Sequence, residues 1–395
     1  MISTLAKPLS ALFLLFAVGT MNPVVAQSAT TVQAQPWTAV VNGVAHKQEV
    51  LEQGPWNINV LRVEYGHPSI GIEMSPGKGR MYQRETVSDT VKRFRSGQVG
   101  AVAAVNGDFW SSNSRMYDPI GLSVSNGMIN NFPSSKRSVF ALSRTGRPYI
   151  GKVSLKVTMS DQMGNVFPIT QINSRWADAK DAVLYTGNYQ GVVPPTDGKR
   201  FAVNLTGRQE FLPNQPAQAR LVALEAASTV TLKQGELLLQ IKRSAAGRFL
   251  LDGNGVVTLA ASMPEVGGVV TAVCGGGPAI VRKGKVDVAL AAEGISKDFS
   301  ETRHPRTAVG FDADAKVLWL VTVDGRQRGV SVGMSLEELA RYMASIGCKD
   351  AMNLDGGGST SMAIGDRIVN KPSDLKGPRP VANSIVVVQR PAAAY

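Results

Sequence analysis

Ala351-Met-Asn-Leu-Asp355-Gly-Gly-Gly-Ser359-Thr-Ser361 reads as a buried strand that runs straight into three glycines and three hydroxyls. In an extended segment alternate side chains face opposite ways, so Ala351, Asn353 and Asp355 share one face while Met352 and Leu354 share the other. A carboxylate delivered at the end of a strand, followed by residues whose backbone approaches a ligand without a Cβ, can form the floor of a binding site. The same letters also fit a tight turn with no chemistry. Just upstream, Ser335-Leu-Glu-Glu338 has the form of a capping box. Leu336, Leu339, Ala340 and Met343 recur at helical spacing, and Gly347 stops the run. A helix of about three turns therefore feeds the strand, its apolar stripe turned to the core.

Two other stretches repeat the pattern of a strand closing on a carboxylate. From Val99 to Asp108, the side chains of Val102, Ala104, Asn106 and Asp108 fall on one face, and Asn106-Gly-Asp108-Phe-Trp110 mirrors Asn353-Leu-Asp355. The two pairs converge if their strands are neighbours. From Val317 to Asp324, Leu318, Leu320, Thr322 and Asp324 share a face, and Asp324-Gly-Arg326 leads out into a loop. A third strand, Gly268 to Val273, ends in Cys274-Gly-Gly-Gly277-Pro278, whose consecutive N–H groups can form an anion-binding nest. Arg303-His304-Pro-Arg306-Thr307 introduces a strand from Ala308 to Phe311. Three aspartates, the basic residues Arg303, His304, Arg306 and Arg326, and two glycine triplets are the parts of a phosphate-ester site. Arginine grips phosphate oxygens in pairs, and a carboxylate serves as base, nucleophile or metal ligand. Neither a Walker loop nor a Gly-x-Ser-x-Gly elbow is present.

The remaining chain reads as an α+β fold of mixed, largely antiparallel sheets with a few helices, in one domain over residues 37–395. The middle stretch, 152–264, is rich in strands and turns and carries no catalytic set; its place is in sheets and walls. Thr86 to Phe94 reads as a short helix. Residues 1–26 have the form of a signal peptide: Lys7, an apolar run from Leu9 to Val18, and Val24-Val25-Ala26 before a cleavage point. The run is shorter than the ~20 residues a membrane span needs, so no stable span remains after its removal. Residues 27–36 read as a flexible leader, with structure starting near Trp37. The address is exported, periplasmic or extracellular. Removing Lys7 and no acid takes the formal charge from +12 to +11. That surplus favours anionic glycans or membrane surfaces, while nucleic acid is a poor fit for an exported chain with no reading motif. Cys274 and Cys348 form either a disulfide across two glycine-rich turns or two buried free thiols.

Together, Asn106-Gly-Asp-Phe109, Gly275-Gly-Gly-Pro278, Arg303-x-Pro-Arg-Thr307, Asp324-Gly-Arg326 and Asn353-Leu-Asp-Gly-Gly-Gly-Ser359 resemble the phosphodiester glycosidase family. The resemblance is loose over residues 60–130, close over 264–390 and weak between. It implies a hydrolase, in a single catalytic domain, that cleaves the bond between the anomeric carbon of an N-acetylglucosamine-like sugar and a phosphodiester. On that reading Asp355 or Asp108 is nucleophile or base, Arg306 and Arg303 hold the phosphate, and His304 is an auxiliary proton donor. Asn106, Asn353, Ser359 and Thr360 orient sugar hydroxyls, and Gly276, Gly277, Gly356, Gly357 and Gly358 form the floor. Asp324 holds Arg306 or Arg326, or shares a divalent cation with Asp355; no cofactor is certain, and the spacing leaves the metal unknown. The competing reading is a non-catalytic envelope protein that binds phosphorylated glycans through the same arginines. A metal-dependent phosphodiesterase would need more His or carboxylate ligands than the sequence offers.

Overall fold

The computed structural model describes residues 31–390 except 97–99, 112–116, 134–135, 190, 208 and 250–254; the signal-peptide segment lies outside the described residues. The capping box closes as its sequence predicts. The Ser335 N–H donates to the Glu338 carboxylate at 2.8 Å, the Glu338 N–H donates to Ser335 Oγ, and the helix Leu336–Ser345 follows. Gly347 ends it at φ +101°, a conformation that glycine adopts without strain. The next strand, Asp350–Asn353, takes its place in a nine-stranded sheet between Arg306–Asp312 and Ala279–Arg282. Val317–Val323, Trp56–Glu64 and Val44–Leu51 extend that sheet outward from Arg306–Asp312.

The burial of alternating side chains on both faces of this sheet organises the molecule. Leu318 and Leu320 enter a core shared with Ala103, Val105, Ile385 and Val387 of a second, five-stranded sheet. Trp319, Val321 and Val323 face the other way, onto Leu339, Ala340 and Met343 of the helix Leu336–Ser345. On the far side of the five-stranded sheet, Ala101, Ala104, Val386 and Val388 meet Val87 and Val91 of the helix Val87–Arg95, which Thr86 caps through the Asp89 N–H. The result is helix, sheet, sheet, helix. Each fully buried aliphatic side chain in these layers contributes roughly 1.5–3 kcal/mol of transfer free energy.

The middle of the chain forms its own seven-stranded sheet, running from Lys156–Asp161 to Val256–Ser262 in sequence. A further five-stranded sheet, with Val270–Gly275 between Val139–Ser143 and Val124–Ser125, shares a core with it. Every strand ladder among the described residues is antiparallel, so the α+β reading holds. No helix of the described residues is long and apolar enough to cross a membrane. Two details differ from the sequence reading, and one alternative is decided. Regular structure begins before Trp37, because Thr31–Ala34 pairs with the strand Val44–Leu51. Two short helices, Leu290–Glu293 and Lys297–Glu301, precede the Arg303 motif, each too brief to leave a periodic signal. Both cysteines are buried free thiols, which settles that alternative.

Candidate active site

Asp355 and Asp108 come from different sheets. The strand Gly100–Asn106 lies between Met362–Ile364 and Asn383–Gln389, so it is not a ladder partner of Asp350–Asn353. The two meet just past their ends: the Asp355 N–H donates to the Gly107 carbonyl at 3.0 Å, and Asn106 Nδ2 donates to the Asp355 carbonyl at 2.7 Å. Asn106 Oδ1 also accepts from Thr307 Oγ1 at 2.7 Å and from the Ser361 N–H at 3.1 Å. Fully buried, Asn106 ties three segments together instead of meeting a sugar hydroxyl.

The Asp108 N–H donates to Asn383 Oδ1 at 2.7 Å, and its Oδ2 accepts from the Gly121 N–H at 2.7 Å. Gly121 and Gly275 press bare backbone against this carboxyl. A Cβ on Gly275 would sit 2.6 Å from the Gly121 Cα, so neither position has room for a side chain. Asp108 is 1% exposed, and its Oδ1 has no hydrogen-bond partner among the described residues. Burial pushes this carboxyl up to about 7; the Gly121 N–H opposes the shift and the neighbouring Asp355 adds to it. Asp355 is partly exposed. Burial pushes it up to about 6, against the nearby Ser359 hydroxyl, the Gly356 N–H, Arg379 and Arg137. The Ser359 hydroxyl lies beside Asp355 but outside hydrogen-bonding geometry, and with Thr360 and Ser361 it forms a run of buried hydroxyls without partners among the described residues.

These raised carboxyls give a pH signature with a fixed sign. A folded-state pKa above the unfolded value contributes stability that is full below about pH 4 and is lost as pH rises through the folded pKa. Thermal unfolding midpoints should therefore fall between pH 5 and pH 8, and Asp108→Asn should flatten that fall. A midpoint that rises equally over this range in both proteins would contradict the placement of these carboxyls.

Asp355 opens into a cleft of about 470 Å³ whose lining includes Arg137, Arg379, Phe109, Trp110 and Phe299. Arg137 lies over the Phe109 ring at 4.9 Å and holds no ion pair among the described residues. Arg379 donates to both oxygens of Asp374, at 2.8 and 3.0 Å. Phe109 and Phe299 meet edge to face at 6.1 Å. Among the described residues the cleft therefore joins one carboxylate, two guanidinium groups and an aromatic wall, and the strands of residues 152–264 contribute nothing to it.

Several residues expected in the site stand elsewhere. Arg306 is 1% exposed, and its guanidinium donates to the Met334, Phe299 and Thr302 carbonyls at 2.8, 2.8 and 2.9 Å. It ends the helix Lys297–Glu301, and its Nε and Nη2 are spent on backbone carbonyls of the fold. Burial pulls its pKa down to about 10. Arg306→Met should cost about 3 kcal/mol or more, since three carbonyls lose a donor inside the fold; chemical denaturation measures it. Arg303 is committed to Glu338, with contacts at 2.5 to 3.1 Å. Asp324 is fully buried, its oxygens accepting from Asn57, Asn370 and the Lys371 N–H. Burial lifts it to about 6. It anchors the loop before Asp374, lies outside the cleft, and does not hold Arg306 or Arg326. Asn353 Nδ2 is spent on the Gly277 and Leu354 carbonyls.

The glycine triplets are seats for side chains more than anion nests. The Gly356 N–H donates to Asp355 Oδ1, the Gly357 N–H to the Pro305 carbonyl, and the Gly277 N–H to the Asn353 carbonyl. Gly276 packs against Met352, and Gly358 makes room for the Arg379–Asp374 pair. Gly357, at φ +61°, carries the Arg326 guanidinium on its open face, and Arg326 Nη2 contacts His304 Nδ1 at 3.2 Å. His304 and Arg326 thus lie beside the Asp355 loop. Burial, Arg306 and Arg326 hold the imidazole below its ordinary pKa. Among the described residues no group of three or more His, Cys, Asp or Glu could hold a metal ion.

Residues 198–388 match the model of the phosphodiester glycosidase family. Over that stretch the chain carries a phosphodiester glycosidase domain. The match takes in Asp355, Arg379 and Asn383, reaches back into the middle strands, and leaves Asp108 and Arg137 outside. The SPbeta prophage-derived uncharacterized protein YomE of Bacillus subtilis (strain 168) is 38% identical over 72 residues, which is 18% of this chain and 11% of that protein. A hypothetical protein from Synechocystis superposes with a TM-score of 0.68 over 92% of this chain and 65% of its own, at 19% identity. A candidate exported protein of Burkholderia pseudomallei K96243 superposes at 0.62 over 86% and 74%, at 22% identity. The chain spans about a tenth of the prophage protein and under two thirds of the Synechocystis chain, and the structural likeness is one of fold.

The phosphodiester glycosidase domain therefore holds only half of the site. Arg137 and Phe109 come from the preceding part of the chain; Phe109 closes the motif Asn106-Gly-Asp-Phe109, whereas nothing in its spacing marks Arg137. Arg379 and Asn383 had a weak signal: Arg379-Pro-Val-Ala-Asn383 leads into the strand beside Gly100–Asn106, which places Asn383 next to Asp108.

Proposed function

We propose that this chain is an exported hydrolase that cleaves the bond between the anomeric carbon of an N-acetylglucosamine-like sugar and a phosphodiester. The observation that carries the reading is Arg137, a guanidinium without a carboxylate partner among the described residues, sharing one cleft with Arg379 and Asp355. Arg137 and Arg379 take the phosphodiester oxygens, where charge develops as the C–O bond opens. A phosphodiester leaves as a weakly basic anion, so the step needs charge neutralisation more than a strong general acid. Asp355, ionised above about pH 6, acts on the anomeric carbon as nucleophile or as base for water. Asp108 lies behind it, carries its proton near neutrality, and limits the charge Asp355 has to share. Phe109, Trp110 and Phe299 offer the apolar face on which a sugar ring rests. His304, held largely neutral, belongs with Arg326 beside the Asp355 loop and is a weak proton donor at neutral pH. Export rests on the leader read in residues 1–26.

The test is release of free N-acetylglucosamine from its 1-phosphodiesters by the mature protein, with and without chelator. Turnover in both arms supports a reaction run by the protein's own side chains. Absence of turnover on every sugar phosphodiester, with phosphorylated glycans still bound, moves the reading to a binding protein.

A further inference from the structure

The strand Val270–Gly275 links the site to a second cavity. Its last residue, Gly275, packs on Asp108, while Thr271 and Ala272 line a groove of about 810 Å³, larger than the cleft. Four residues of strand, about 13 Å, separate Thr271 from Gly275. The groove is thus a separate feature. Its charged lining consists of Arg144, Arg147, Lys316 and Arg390 against Glu73 and Glu210, four cations less two anions, or +2. Glu210 is paired with Arg144 at 2.7 Å and Glu73 with Arg390 at 3.3 Å. Arg147 and Lys316 are exposed and hold no ion pair among the described residues. Gly66 leaves room for the Lys316 stem, because a Cβ there would lie 2.8 Å from the lysine Cδ. The lysine is seated against the turn.

The groove also runs along the edge of a sheet. Ile70, Gly71, Ile72 and Glu73 line it, and their strand, Ile70–Pro76, is the edge of its sheet, paired on one side with Asn383–Gln389. On its other side no strand among the described residues pairs with it, although the Ile70 N–H is already spent on the His67 carbonyl at 3.0 Å. Spare cations beside an open sheet edge suit a ligand that carries both anions and hydroxyls along a chain.

We propose that this groove binds a phosphate-bearing glycan chain, so that the hydrolase acts on a polymer held at a distance from the scissile bond. The second clause rests on the proposed activity; the first stands without it. Tethering raises the effective concentration of the chain's phosphodiesters at the Asp355 cleft, which lowers KM for polymer and leaves small substrates unaffected. Because Arg147 and Lys316 are exposed, the gain should shrink as salt rises.

The experiment uses a soluble N-acetylglucosamine 1-phosphate polymer, with neutral dextran and dextran sulfate as controls. Binding is measured in an Asp355→Asn background to prevent turnover; kinetics are measured with Asp355 intact. Arg147→Glu with Lys316→Glu should weaken polymer binding at least tenfold and raise KM for polymer by a similar factor. Turnover of a monomeric sugar phosphodiester should stay within twofold. Arg147→Gln with Lys316→Gln should show a smaller loss in the same direction and guards against misfolding of the charge reversal. Unchanged polymer affinity in both double variants overturns the proposal, as does equal affinity for dextran sulfate, which would mark a merely basic surface. If polymer binding is lost in the variants while no phosphodiester is turned over, the groove stands and the hydrolase reading falls.

Discussion

Replacing Asp355 with asparagine is expected to lower kcat on a sugar phosphodiester by at least about a thousandfold, roughly 4 kcal/mol of barrier. The change is nearly isosteric. An asparagine Oδ1 still accepts the Gly356 N–H, so the loop should stand and the unfolding midpoint should hardly move. What disappears is the one carboxylate that opens into the cleft. Removing a negative charge beside Arg137 and Arg379 leaves those cations less neutralised, so affinity for the phosphodiester should hold or rise. A fall in kcat with KM unchanged or lower is therefore the expected pattern. Equal losses in kcat and in binding would point to a structural role instead.

Arg137→Ala should cost about a hundredfold or more in kcat/KM, the second-largest effect. Arg379 is already partly neutralised by Asp374, whereas Arg137 meets no carboxylate at ion-pair distance among the described residues, so its charge is available to a phosphate. Arg137→Lys should restore only part of the loss, since an ammonium keeps the charge but not the two-pronged geometry. A second readout separates this from mere loosening. Arg137 helps hold both Asp355 and Asp108 down, so its removal should move the acid limb of the pH–rate profile to higher pH. A profile left in place would count against its position in the cleft.

Much of the frame could be read from residue patterns. The capping box at Ser335, the stop at Gly347 and the alternating buried strands all follow from local spacing. Asp355 and Asp108 converge, although through hydrogen bonds past their strand ends and not as ladder neighbours. Residue spacing could not place the arginines, for a physical reason. Arg306 opens the strand Arg306–Asp312, which is buried on both faces, so alternation could not tell which side its guanidinium would take. It turned inward, to three carbonyls. Arg303 and Glu338 are 35 residues apart in sequence, so their pair forms only once the helix Leu336–Ser345 docks. Arg137 sits in a segment with no periodicity, and only the packing of the chain brings it into the cleft with Asp355.

The most direct measurement is hydrolysis of an N-acetylglucosamine 1-phosphodiester by the mature protein in ¹⁸O-labelled water, followed by mass spectrometry of both products. Attack at the anomeric carbon places the label in the sugar hydroxyl and leaves the phosphate unlabelled, which is the result expected from Asp355 working beside two phosphate-holding arginines. Label in the phosphate would mean P–O cleavage and would contradict the account.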